Sequence, residues 1–99
     1  MNKEKEILKW SNPLRVVDMA RQYFGEEVPI YLSSKKEKKY MIQDPNGRWV
    51  HFGQMGAEDF TKHQDRARRQ RYLARATNIR GQWKDNPYSP NNLSINLLW

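Results

Sequence analysis

The chain has no cysteine among its 99 residues, which excludes a disulfide framework and any thiolate metal site. No window approaches the ~20 consecutive apolar residues of a membrane span. The first ten residues, MNKEKEILKW, are charged from the third position on and lack the apolar run of a signal peptide. A soluble chain in an intracellular or virion-interior setting is the expectation. Catalytic signatures are also missing: no Gly-x-Ser-x-Gly elbow, no phosphate-binding Gly-x-x-x-x-Gly-Lys loop and no zinc-type histidine spacing. No enzyme activity and no cofactor are therefore expected. Apolar residues make up only 37%, but four Trp, five Tyr and three Phe supply large units of burial, enough for one small core and a single domain.

Acidic residues are almost absent from one segment. Between Lys62 and Arg80 there are seven bases (Lys62, Arg66, Arg68, Arg69, Arg71, Arg75 and Arg80) and one acid, Asp65. That segment alone carries a net +6 of the chain's +7. Residues 1–61 are nearly balanced and residues 82–99 neutral. Such a concentration of one sign is a field source for polyanions, whether phosphate backbones or acidic protein surfaces.

After a charged lead-in over residues 1–10, Ser11-Asn12-Pro13 reads as a helix start and Gly25 as its stop. Leu14, Val17, Ala20 and Phe24 recur at helical spacing, with Val16, Met19 and Tyr23 widening the apolar face. Two short strands, Pro29 to Ser33 and Tyr40 to Gln43, flank a cationic turn. Asp44-Pro45-Asn46-Gly47 has the residues of a type I turn closed by a left-handed glycine, so Arg48 to Phe52 completes a hairpin within a region spanning 29–53. Thr61-Lys62-His63-Gln64 has the form of a capping box, which predicts one long basic helix over 61–80. On it Tyr72, Ala76 and Ile79 share a face, with Leu73 at its margin. Arg68, Arg71 and Arg75 line one flank of that face, and Lys62, Arg66 and Arg69 the other. Residues 82–99 read as a polar linker and an apolar tail in which Leu93, Ile95 and Leu97 alternate with polar residues, as in a one-sided strand. The expected fold class is α+β: a small antiparallel hairpin-based sheet packed by an N-terminal helix and a long basic helix.

Several stretches, among them Lys38-Lys39-Tyr40-Met41-Ile42, Trp49-Val50-His51-Phe52-Gly53, Glu58 through His63 and Asn86 through Trp99, resemble a set of small basic proteins of nucleocytoplasmic large DNA viruses. The resemblance covers about residues 28–99. It implies a giant-virus origin and a setting in the host cytoplasm, at the viral factory, or in the virion. It brings no activity, substrate or catalytic residue with it.

Binding is the expected role. Arg66, Arg68, Arg69, Arg71 and Arg75 are the candidates for phosphate contact, since guanidinium groups fork onto phosphate oxygens and release counterions. The lysine turn, Lys35, Lys36, Lys38 and Lys39, is a second cationic site or a solvated loop that discourages edge pairing. Trp49, Phe52, Tyr31 and Tyr40 are stacking platforms or core. His51 and His63, with Glu58 and Asp59 between them, are expected to serve the fold rather than a metal, His51 as a hydrogen-bonded partner of the acidic box. Leu93, Ile95, Leu97 and Trp99 either dock onto a partner or complete the chain's own sheet. The leading expectation is a sequence-independent nucleic-acid binder. The alternative is a virion structural protein, a minor capsid component or assembly adaptor, that docks through the basic helix and the tail. No membrane association is expected.

Overall fold

A computed structural model describes residues 2–99. The fold is α+β, as expected, with a three-stranded antiparallel sheet and helices before and after it. A one-turn helix, α1 (Lys3–Glu6), is capped by Asn2 and runs into a 3₁₀ turn, Ile7–Lys9, that puts Ile7 in the core. Helix α2 (Pro13–Phe24) starts where Asn12 accepts a hydrogen bond from the Arg15 amide and ends at Gly25, whose φ of 74° suits a residue without Cβ.

The buried face of α2 differs from the one expected. Val16 and Ala20 are fully buried, flanked by Tyr23 and Phe24, whereas Leu14 is 80% and Val17 43% exposed. The apolar residues cover so much of the helix circumference that periodicity alone does not select a face. What selects it is the C-terminal helix packed against α2.

Strands β1 (Tyr31–Leu32), β2 (Lys38–Gln43) and β3 (Trp49–Gln54) lie in that order, with Tyr40 opposite Phe52 and Ile42 opposite Val50. The β2–β3 turn forms as its residues dictate. The Asp44 carboxylate accepts from the amides of Asn46 and Arg48, and Gly47 has φ 83°. Gly53 interrupts the regular alternation of β3 with φ 82°, and a Cβ there would sit 2.9 Å from Leu98 Cδ1 and 3.0 Å from Lys39 Cβ. Only glycine permits that close approach.

The basic segment is two helices rather than one: α3 (Phe60–His63) and α4 (Arg66–Ala76). Thr61 does not cap a long helix, because its hydroxyl is turned into the core to bond with Asp59 and the Asn12 amide. Gln64 adopts φ 57°, and Asp65 caps α4 instead, accepting from the amides of Ala67 and Arg68. The helix stops at Ala76, short of the expected Arg80. The side chains of Thr77, Asn78 and Asn91 donate to the carbonyls of Leu73, Ala74 and Ala76, competing for the groups that would carry the helix further.

The C-terminal tail is helical, not a strand. Ser89 caps α5 (Pro90–Leu93), which continues as a π-helix over Ser94–Leu98. Leu93, Leu97 and Leu98 enter the core with Ile7, Val16, Ala20, Tyr40, Ile42 and Phe52. The spacing i, i+4, i+5 satisfies a helix, and Ser89-Pro90 is a cap followed by a first-turn proline.

Candidate nucleic-acid interface

The residues around the acidic box form a buried polar network. Lys39 is 2% exposed, so it is not a cation offered to a ligand, contrary to its place in the expected lysine site. Its ammonium donates to Asp59 Oδ2 at 3.0 Å, to the Ala57 carbonyl at 2.6 Å and to the Trp10 carbonyl at 3.4 Å, which uses all three protons. Burial lowers the Lys39 pKa, and Asp59 opposes that shift. Asp59 also accepts from the Thr61 hydroxyl. Thr61 lies 3.2 Å from Ser11 Oγ, and Ser11 accepts from the Tyr40 hydroxyl at 2.7 Å. Burial raises the Tyr40 phenol well above its ordinary range. Lys39, Tyr40, Asp59 and Thr61 thus tie the N-terminal segment, β2 and the box together.

His51 does not pair with the box. Its Nδ1 lies 2.6 Å from Ser33 Oγ, at the end of β1. Burial, helped by Lys35 and Lys3, holds its pKa low. No cluster of three or more His, Cys, Asp or Glu side chains suited to a metal occurs among the described residues.

The cations of α4 divide between two grooves. On one side a cleft of about 700 Å³ lies between the β2–β3 sheet end and α4. Lys38 lines it from the sheet, and Arg68, Arg71 and Arg75 line it from the helix. Glu58 is its one acidic lining residue and pairs with Arg68 at 3.6 Å. On the other side a cleft of about 550 Å³ is lined by Arg66 and Arg69 together with Arg15 from α2. The arginines of the two flanks expected for the basic helix are therefore walls of separate grooves. Arg69 is committed to the fold: its Nε donates to the Trp99 backbone oxygen at 2.6 Å, and its guanidinium lies 5.4 Å from the Phe60 ring centroid. Lys62 is exposed and lines neither groove.

Lys35 and Lys36 are exposed in the β1–β2 turn and do not line the larger groove, so of the lysine turn only Lys38 meets the arginine flank. Lys3 joins the turn, donating to the carbonyls of Ser33 and Lys35 at 2.7 Å each. Neither Lys3 nor Arg15 carried a sequence signal, because each is placed by long-range packing.

Of the residues expected to dock onto a partner, the two leucines are engaged in the core. Leu93 and Leu97 are fully buried, and Ile95 is half-buried. Trp99 stacks on Tyr72, with ring centroids 4.2 Å apart and planes 10° from parallel. Of the four sheet aromatics, Tyr40 and Phe52 are core, whereas Tyr31 and Trp49 form an exposed edge-to-face pair.

Residues 28–76 match a family described as one of unknown function (DUF5754). That span starts just before β1 and ends with α4, so it takes in the sheet, the Lys39–Asp59 pair and the arginine flank. No curated protein and no solved structure matches the chain.

Proposed function

We propose that the protein is a non-enzymatic, sequence-independent nucleic-acid binder that contacts the phosphate backbone through α4. The observation that carries this reading is the convergence of Lys38 with Arg68, Arg71 and Arg75 on one groove with a single acidic residue. Cations from two elements facing a shared cleft concentrate positive potential more than a solvated helix does. No base-reading motif accompanies them, so the contacts are to backbone, which positions a ligand without selecting its sequence. The resemblance to proteins of large DNA viruses suggests a role in viral genome packaging or replication. The alternative of a capsid component or adaptor loses its docking segment, since Leu93 and Leu97 belong to the core.

The test is a salt titration of binding to a random duplex and to a single strand of equal length. Affinity should fall steeply with log salt and be about equal for unrelated sequences. Replacing Arg68, Arg71 and Arg75 together by Ala should weaken binding uniformly and reduce the log–log slope by about 2–3. An unchanged slope in the triple variant would remove the groove from the interface.

A further inference from the structure

The larger groove is more than a row of cations. Between Lys38 on one side and Arg71 and Arg75 on the other, its lining includes Ile79 and the half-buried, mutually stacked Tyr72 and Trp99. Ile79 lies just beyond the end of α4 and is 52% exposed, with the Trp83 indole donating to its carbonyl at 2.7 Å. Amide groups of Gln54 and Asn91 also line the cleft.

A duplex has little use for such a floor. Its base faces are stacked inside, and it presents only phosphates, sugars and groove edges. Resting on the arginines, it would leave the apolar surface wet. A single strand turns its bases outward, and a base face against aromatic or apolar side chains gains affinity without regard to sequence. The size agrees, because about 700 Å³ lies within the roughly 300–1,000 Å³ that enclose a small organic ligand, of the order of a nucleotide or two. Arg71 and Arg75 are four residues apart, about 6 Å along the helix axis, which leaves room for successive phosphates beside the floor.

We infer that this groove takes a single-stranded stretch of nucleic acid, with phosphates on Lys38, Arg71 and Arg75 and a base against Tyr72, Ile79 and Trp99. The inference rests on the nucleic-acid reading above and narrows it to a substrate class. The exposed Gln54 amide offers hydrogen bonds to whichever base edge arrives, consistent with tolerance of sequence.

The full chain is titrated with a 20-nucleotide oligo-dT and with a random 20-base-pair duplex while tryptophan emission is followed. Oligo-dT should bind about tenfold tighter or more than the duplex and quench the emission. Most of the quenching should disappear in Trp99→Phe, which keeps a ring on Tyr72 and leaves Trp10, Trp49 and Trp83 in place. Ile79→Ser, at an exposed position, should weaken oligo-dT binding severalfold and leave duplex binding unchanged. Equal affinity for both ligands, or quenching that persists in Trp99→Phe, would overturn the groove assignment while leaving the polyanion reading intact. No binding of either ligand at low salt would overturn both.

Discussion

Lys39 and Asp59 show how far a single residue's role can depart from its type. A lysine in a run of four reads as surface charge, yet this one is enclosed and fully hydrogen-bonded to groups far away in sequence. Removing one partner of such a pair leaves the other charge buried and unmatched, at a cost of about 3–5 kcal/mol. Lys39→Met should therefore lower the free energy of unfolding by that amount in urea titrations. Adding Asp59→Asn should recover part of the loss, because the stranded carboxylate is then neutral and still accepts from Thr61. Purely additive losses would mean that the pair is not coupled. His63 supplies a second test. Its Nδ1 accepts from the Asp65 amide at 2.9 Å, so the ring is neutral with its proton on Nε2, which is buried and without a partner among the described residues. Desolvation, helped by Arg68, holds its pKa below the ordinary 6.5. The folded chain consequently binds fewer protons than the unfolded chain just below pH 6.5, and His51 acts in the same direction. Stability should be fully present above that pH and fall as the solution is acidified through the lowered pKa values. His63→Gln should flatten the fall in urea midpoint between pH 7 and 5. An unaltered profile would place the titration elsewhere.

At the scale of elements, what was legible was local. The β2–β3 turn and the two ends of α2 are determined by residues within a few positions of one another, and each formed as its chemistry demands. What was not legible depended on partners distant in sequence. Thr61 looked like a cap until its hydroxyl was claimed by Asp59 and Asn12, and that claim breaks the basic helix at Gln64. The face of α2 was obscure for the same reason, since its partner was the tail read as a strand. Leu93, Ile95 and Leu97 fit either period, and the Ser89-Pro90 start signal was the local feature that could have decided the matter. The break at Gln64 is itself testable. A non-glycine residue at φ 57° bears a left-handed penalty of about 1–2 kcal/mol that glycine does not. Gln64→Gly should raise stability by up to about 1 kcal/mol, part of the relief being offset by the greater freedom of glycine in the unfolded chain. A clear loss instead would mean that the Gln64 side-chain bond to the Phe60 carbonyl matters more than the backbone strain.

For the whole molecule, the charge segment located the candidate site, but the shape of that site came from the fold. The arginine flank was visible as spacing on a helix. That Lys38 faces it across a cleft, and that the other flank is partly consumed in holding Trp99, follows only from how the sheet and the C-terminal helix pack around α4. The C-terminal helix is thus the element on which both core and groove depend. It contributes three of the nine residues in the buried cluster, and its Leu98 and Trp99 line the larger groove. Truncating one buried leucine costs about 2–5 kcal/mol, while an entire small domain is stable by only about 5–15 kcal/mol. Leu97→Ala should leave a folded but weakened protein. Deleting residues 93–99 removes Leu93, Leu97 and Leu98 together and should abolish the cooperative unfolding transition followed by circular dichroism. If the truncated chain instead unfolds cooperatively and has merely lost association with a partner, the tail is an interface after all, and the structural-protein reading regains the segment it needs.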